Sequence, residues 1–368
     1  MTGGGTGGHV NPAIAIADTI MENQRDSTVA FVGTSRGIEN KLVPDAGYKL
    51  YHVEMSGLRR SLSLKNIKTA YYVLTAPHKA KKLIHEFRPD LVVGTGGYVC
   101  WPVVKAAAEM GIPTALHESN AIPGIAVRML EGKVDKIFVN FEKTKDYLKH
   151  PEKAAVVGNP LRGDFSSVGY ESARKELGID GKYEKFVLSC GGSMGAEKVN
   201  DIMLAFMRDY VSLHPEVYHV HATGSIEKDI CRAQFESMGL DKCENIKLVE
   251  YIYDMPLEMA AADVVINRAG AMTLSELAYE GKAAVLIPSP NVTDNHQYKN
   301  AMALAEAGAA MVFEESKVSE REFADSVASL LDDSEKRKTM SRAIKKFAVT
   351  DSKKLIYLEL VKISEQKK

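Results

Sequence analysis

A chain of 368 residues, 45% hydrophobic and 26% charged, is long enough for two domains with separate cores. Its net charge of −1 gives no footing for nucleic-acid binding, and no apolar run reaches the ~18 residues of a membrane-spanning helix. Cys100, Cys190, Cys231 and Cys243 lack paired metal-ligand spacing, and the N-terminus lacks a basic start with an apolar core, which together predict a reducing cytoplasm and no metal or other cofactor.

The chain opens on Gly3, Gly4, Gly5, Thr6, Gly7, Gly8 and His9, followed by Asn11-Pro12 and by Ala13, Ile14, Ala17 and Ile20 at helical spacing. A glycine turn of this kind follows a buried strand of about five residues, and only Met1 and Thr2 precede it. A central strand is therefore expected to be missing, with the natural start upstream. The turn fits G-x-G-x-x-G, but Gly33-Thr34 stand where a dinucleotide site needs an acidic residue, which argues against NAD. His9, at the mouth of the turn, has the chemistry of a general base on a sugar hydroxyl; capping or packing is the alternative.

Short β-branched runs at 28–33, 50–54, 91–94, 114–117 and 136–140 alternate with helical patterns, the rhythm of βαβ units around a parallel sheet. Between them, Arg59, Arg60, Lys65, Lys68, Lys79, Lys81 and Lys82 interleave with Ile67, Tyr71, Tyr72, Val73, Leu74, Leu83 and Ile84. Residues 1–160 hold 20 Lys+Arg against 15 Asp+Glu, leaving +5 there and −6 in the remainder. The first half is the one an anionic membrane surface would attract, although packing on the sheet explains the same pattern. Gly96 and Gly97, after a strand, form a second glycine loop, and two such loops on one sheet edge make a phosphate cradle. His117, Glu118, Ser119 and Asn120 end the next strand as a polar cluster fitted to a sugar or to neighbouring loops rather than to a metal.

Gly158-Asn159-Pro160 is turn chemistry and divides the chain into domains at 1–158 and 159–345, with an interdomain cleft as the ligand site and a last helix, 346–368, placed to pack back on the first domain. Strands at 186–190, 217–221, 246–250, 264–267, 284–288 and 310–313 build the second doubly wound sheet, and 318–368 reads as two or three charged helices. Gly191-Gly192-Ser193 precedes a helix and suits an anion. The run 267–276 passes from strand through turn into helix and puts Glu276 one turn inside, where a carboxylate can accept both ribose hydroxyls or simply offset the helix dipole. Gln297, at the mouth of a later helix, suits hydroxyl-rich ligands, and no Asp-x-Asp pair offers a metal–diphosphate site.

Taken together, Gly4-Gly5-Thr6-Gly7-Gly8-His9, Gly96-Gly97-Tyr98, 117–120, 158–162, Gly191-Gly192-Ser193 and 268–276 closely resemble the MurG family, the undecaprenyl-diphospho-muramoylpentapeptide N-acetylglucosaminyltransferases. The resemblance implies a GT-B fold of two Rossmann-like domains and an inverting β-1,4 transfer from UDP-N-acetylglucosamine to a lipid-diphosphate acceptor at the cytoplasmic face of the membrane. It implies His9 as base, with Thr6, Gly7 and Gly8 lining the site and Asn120 reaching the sugar. Gly4, Gly5, Gly96 and Gly97 would cradle the acceptor diphosphate. Arg162 and Ser193 would meet the donor diphosphate, the backbone of Ile252 would read uracil, and Ala271, Met272, Thr273, Leu274 and Ser275 would offer N–H groups to phosphate. Glu276 would hold the ribose and Gln297 the transferred sugar. Met194 and His296 depart from amides common in the family. Alternatives are a diacylglycerol glycosyltransferase, a UDP-N-acetylglucosamine epimerase, for which no acidic catalytic set is found, and a non-catalytic UDP-sugar-binding protein.

Overall fold

The computed structural model describes residues 1–57, 64–161, 165, 168–192, 194–292 and 295–366, with backbone alone at 64–68. The chain divides into two compact units, Met1–Arg162 with Val349–Lys368, and Gly163–Ala348.

In the first unit, α1 (Gly7–Asn23), β1 (Ala30–Gly33), α2 (Glu39–Asp45), β2 (Lys49–His52), α3 (Leu64–Phe87), β3 (Val92–Gly94), α4 (Cys100–Glu109), β4 (Thr114–Glu118), α5 (Ile125–Leu130), β5 (Lys136–Val139) and β6 (Ala154–Val156) alternate as the hydropathy pattern requires. All strand pairs are parallel: β1 with β2, and β3-β4-β5-β6 in that order. Among the described residues no strand forms at the chain start, and the expected gap is bridged by two residues. Thr2 bridges Val32 and Gly94, with Val32 N–H donating to Met1 O at 2.9 Å, Thr2 N–H to Val93 O at 2.8 Å and Thr95 N–H to Thr2 O at 2.9 Å. This stub holds the central position between β1 and β3, and it anchors the glycine turn that follows.

The second unit runs α6 (Tyr170–Glu176), β7 (Lys185–Cys190), α7 (Glu197–Asp209), β8 (Val217–Ala222), α8 (Lys228–Ser237), β9 (Ile246–Val249), α9 (Met255–Ala261), β10 (Val264–Asn267), α10 (Ala271–Glu280), β11 (Ala283–Leu286), α11 (His296–Ala305), β12 (Ala310–Val312), α12 (Glu320–Asp332) and α13 (Ser334–Lys345). Its sheet is parallel throughout in the order β12-β11-β10-β7-β8-β9. The first strand of the unit is therefore central, and order reverses on either side of it. That reversal places the carboxyl ends of β7 and β10 at a topological switch point, where open α/β sheets bind ligands.

The last helix, α14 (Ser352–Glu365), belongs to the first unit. Its Ile356, Leu360 and Ile363 are buried with Ile16, Val93, Ala115, Phe138 and Val157. Burial of three such side chains at roughly 1.5–3 kcal/mol each outweighs the Lys136–Glu359 ion pair at 3.2 Å, because a surface pair contributes about 0–1 kcal/mol.

Candidate active site

In the first unit, Thr6 sits at the N-cap of α1 in extended backbone but makes no side-chain cap. Its hydroxyl lies 3.3 Å from His9 Nδ1, and the Gly4 carbonyl lies 3.1 Å from the same nitrogen. A carbonyl oxygen only accepts, so a neutral ring making this contact carries its proton on Nδ1 and its lone pair on Nε2. The imidazole packs against the second glycine loop. A Cβ at Gly96 (φ +109°) would stand 2.6 Å from His9 Cδ2, and one at Gly97 (φ +81°) 2.3 Å from Gly4 O. Side chains at either position would drive the two loops apart, so both glycines are dictated by close approach.

The two loops converge, but their N–H groups are not all turned outward. Gly4 N–H donates to Gly96 O at 3.3 Å, and Gly5 N–H to Glu39 Oε2 at 2.9 Å. Gly4 and Gly5 N–H groups are thus engaged within the protein, whereas the first-turn N–H groups of Gly7 and Gly8, which precede any intrahelical acceptor, have no acceptor among the described residues. Glu39 is not among the site residues the sequence pattern predicts. A dinucleotide-type acidic residue belongs at the end of β1, whereas Glu39 enters from the start of α2, and Gly33 and Gly37 are the signal beside it. A Cβ at Gly33 would fall 2.6 Å from Glu39 Cγ, and one at Gly37 1.9 Å from Oε2.

The polar cluster after β4 mostly turns inward. His117 Nε2 donates to Gly158 O at 3.1 Å, and burial lowers this imidazole to about 4, leaving it neutral. Glu118 is buried, and burial raises its carboxyl above the ordinary value although Gly124 N–H (2.7 Å) and the backbone and side chain of Asn120 (2.9 and 3.0 Å) donate to it. Asn120 alone is half-buried, its amide oriented by Glu118. Among the described residues, no group of His, Cys, Asp and Glu is placed to hold a metal ion.

In the second unit, α10 begins at Ala271 after an extended Gly270, and its first internal bond runs from Leu274 N–H to Gly270 O at 3.0 Å. The N–H groups of Gly270, Ala271, Met272 and Thr273 therefore stand ahead of the helix ladder. Leu274 is committed to the core, and the Ser275 hydroxyl donates back to Ala271 O at 3.2 Å. Glu276 is half-buried, no hydrogen-bond donor reaches it among the described residues, and burial raises its carboxyl from 4.5 to about 7. Cys190, at the end of β7, is near enough for Glu276 to act on it, its thiol raised by burial and also by that carboxylate. Arg268, next to this turn, is tied to Glu315 and to Ile287 O at 3.0 Å.

Gln297 Oε1 accepts Ser289 N–H at 2.9 Å, which fixes the amide so that its NH2 is the group left to donate. Ile252 is buried between exposed Tyr251 and Tyr253, and its backbone N–H and C=O make no hydrogen bond among the described residues. Arg162 and Ser193 lie outside the described residues, as do Arg59 and Arg60 and the side chains of Lys65 and Lys68. Each unit thus gathers part of the expected set: Thr6, Gly7, Gly8, His9, Gly96 and Gly97 in the first, and the start of α10 with Glu276 in the second.

The glycosyltransferase family 28 N-terminal domain matches residues 1–139, and the glycosyltransferase family 28 C-terminal domain matches residues 186–356. A protein of Thermoanaerobacter sp. (strain X514), named UDP-N-acetylglucosamine–N-acetylmuramyl-(pentapeptide) pyrophosphoryl-undecaprenol N-acetylglucosamine transferase, is 39% identical over 355 residues, 96% of each chain. The crystal structure of Acinetobacter baumannii MurG is similar at TM-score 0.77 and 26% identity, covering 98% of both chains. Neisseria meningitidis UDP-GlcNAc 2-epimerase bound to UDP-GlcNAc shares the fold alone, at TM-score 0.62 and 17% identity over 96% of this chain and 97% of that one. With both halves matched and identity of this order along its length, the chain belongs to the MurG family of GT-B glycosyltransferases.

Proposed function

We propose that this glycosyltransferase moves N-acetylglucosamine from UDP-N-acetylglucosamine to undecaprenyl-diphospho-N-acetylmuramoyl-pentapeptide, with inversion to a β-1,4 linkage. The observation that carries the donor half is Glu276, a carboxylate raised to about 7 with no donor among the described residues, one turn inside a helix whose first N–H groups face the same end. A ribose diol supplies the missing donors, and a diphosphate suits the helix start. The second unit is the donor domain in this reading: Arg162, Ser193 and the N–H groups of Ala271, Met272 and Thr273 hold the diphosphate, the Ile252 backbone reads uracil, and the Gln297 NH2 donates to the sugar.

The first unit is the acceptor domain. His9 Nε2 takes the proton of the acceptor hydroxyl as its oxygen bonds to the sugar C1, and the bond from C1 to the diphosphate oxygen breaks. The negative charge passing to UDP is stabilised by the α10 N-terminus. Gly7 and Gly8 N–H groups, with Gly96 and Gly97 beside them, face the acceptor diphosphate, and Asn120 contacts the sugar.

Tyr71 and Leu74 of α3 are 59% and 73% exposed, which supports seating at an anionic membrane surface; the cytoplasmic side belongs to the same reading, since the nucleotide-sugar donor is a cytoplasmic substrate. Lys81 is already paired with Glu109 at 2.8 Å, so it adds little to that attraction. Among the described residues no helix is long and apolar enough to cross a membrane. A test is UDP release with two acceptors, a soluble lipid-diphosphate-muramoylpentapeptide analogue and diacylglycerol. Release with the first alone is expected; release with diacylglycerol alone would replace this acceptor by the glycolipid one.

A further inference from the structure

We propose that Glu39 is a positioning residue that fixes the tautomer and ring orientation of His9 through the peptide group joining Gly4 to Gly5. The inference rests on the reading of His9 as the base. That peptide is held from both sides: its N–H, on Gly5, donates to Glu39 Oε2 at 2.9 Å, and its C=O, on Gly4, accepts from His9 Nδ1 at 3.1 Å.

Glu39 is fully buried and, among the described residues, forms no ion pair. Its other oxygen accepts Thr34 N–H at 2.9 Å and Thr34 O–H at 2.8 Å. Burial favours the neutral form, but these three donors, together with Glu39's own backbone N–H, outweigh it and hold the carboxyl below its ordinary value, so the group is an anion. A Cβ at Gly4 would lie 2.6 Å from Glu39 Oε1. The carboxylate and the turn are therefore in contact with nothing between them.

The arrangement decides between two imidazole states. With the proton on Nδ1, His9 donates to Gly4 O and keeps its lone pair on Nε2. With the proton on Nε2, Nδ1 would oppose the Gly4 carbonyl while accepting from the Thr6 hydroxyl at 3.3 Å. An anion on the N–H side of a peptide polarises its C=O and strengthens it as an acceptor. Glu39 thus favours the first state, the one that can take a proton at Nε2. Glu39→Gln replaces an acceptor by an NH2, so that either Gly5 N–H or the Thr34 donors meet another donor.

The test is 15N NMR of histidine-labelled full-length protein at pH 8 without substrate, with His9 assigned by its loss in His9→Ala. We expect Nδ1–H in the wild type and a shift toward Nε2–H in Glu39→Gln. Steady-state turnover should fall about tenfold or more in Glu39→Gln at unchanged donor KM, and the same substitution in the His9→Ala background should cause no further loss. A wild-type proton on Nε2, an unchanged tautomer in Glu39→Gln, or an equal loss in both backgrounds would overturn the proposal. The wild-type tautomer supports or overturns it even if Glu39→Gln does not fold. Near wild-type turnover of His9→Ala would remove the base reading, while the tautomer, measured without substrate, judges Glu39 separately.

Discussion

Donor binding should weaken as pH falls through 7, because the site holds a carboxylate that burial has raised to about 7 and that binds a diol only when ionised. If only the anion binds, the apparent Kd scales with one plus the ratio of protonated to ionised carboxyl. The affinity is then about tenfold lower at pH 6 than at pH 8, or roughly 1.4 kcal/mol. UDP-N-acetylglucosamine is the ligand to use, since its diphosphate diester does not titrate in this range. Calorimetry at pH 7 should also register about half a proton released per ligand bound. The sign for folding runs the other way. A carboxyl raised in the folded state contributes stability that is present below its unfolded value near 4.5 and lost as pH rises through about 7. Glu276→Gln should therefore be more stable to unfolding than wild type at pH 8, by about 2 kcal/mol once partial exposure is allowed for, while binding the donor more weakly and without pH dependence. A wild-type affinity that is flat between pH 6 and pH 8 would refute the assignment of Glu276 to the ribose.

His9→Ala should lower kcat by about 10²–10⁴-fold with donor Kd within about twofold, as general-base removal does; stopped assays and calorimetry on one preparation check it. Gln297→Glu keeps the acceptor for Ser289 N–H but loses the donating NH2, so KM for the UDP-sugar should rise about tenfold while inhibition by UDP is unchanged. Phe206, fully buried against Tyr210, His219 and Phe323, is a core test: Phe206→Ala should cost about 3–5 kcal/mol in urea unfolding. Leu74→Glu should reduce co-sedimentation with anionic phosphatidylglycerol vesicles without affecting transfer to a soluble acceptor.

The two-sheet fold was legible because buried parallel strands read as short β-branched runs, as at 264–267 and 186–190, and because glycine turns mark their carboxyl ends. What escaped depended on contacts distant in sequence. Strand β6 begins Ala154-Ala155, residues with little β signal, and it forms by pairing with β5. Met1 and Thr2 are too short to read as a strand, yet hydrogen bonds on both sides hold them in the sheet. Glu39 reaches back 34 residues to Gly5, a contact no local pattern encodes. Glycine loops suggest anion cradles from sequence because their N–H groups can point outward. At Gly4 and Gly5 the protein uses those groups itself, and only three-dimensional accounting of donors reveals it.

The central claim is tested most directly by incubating the folded protein with UDP-[14C]N-acetylglucosamine and a lipid-diphosphate-muramoylpentapeptide analogue, with circular dichroism recorded on the same sample. The account predicts label in a disaccharide-pentapeptide lipid product joined by a β-1,4 linkage, formed together with one UDP per transfer. A folded sample that binds the UDP-sugar but leaves all label in the donor would contradict it.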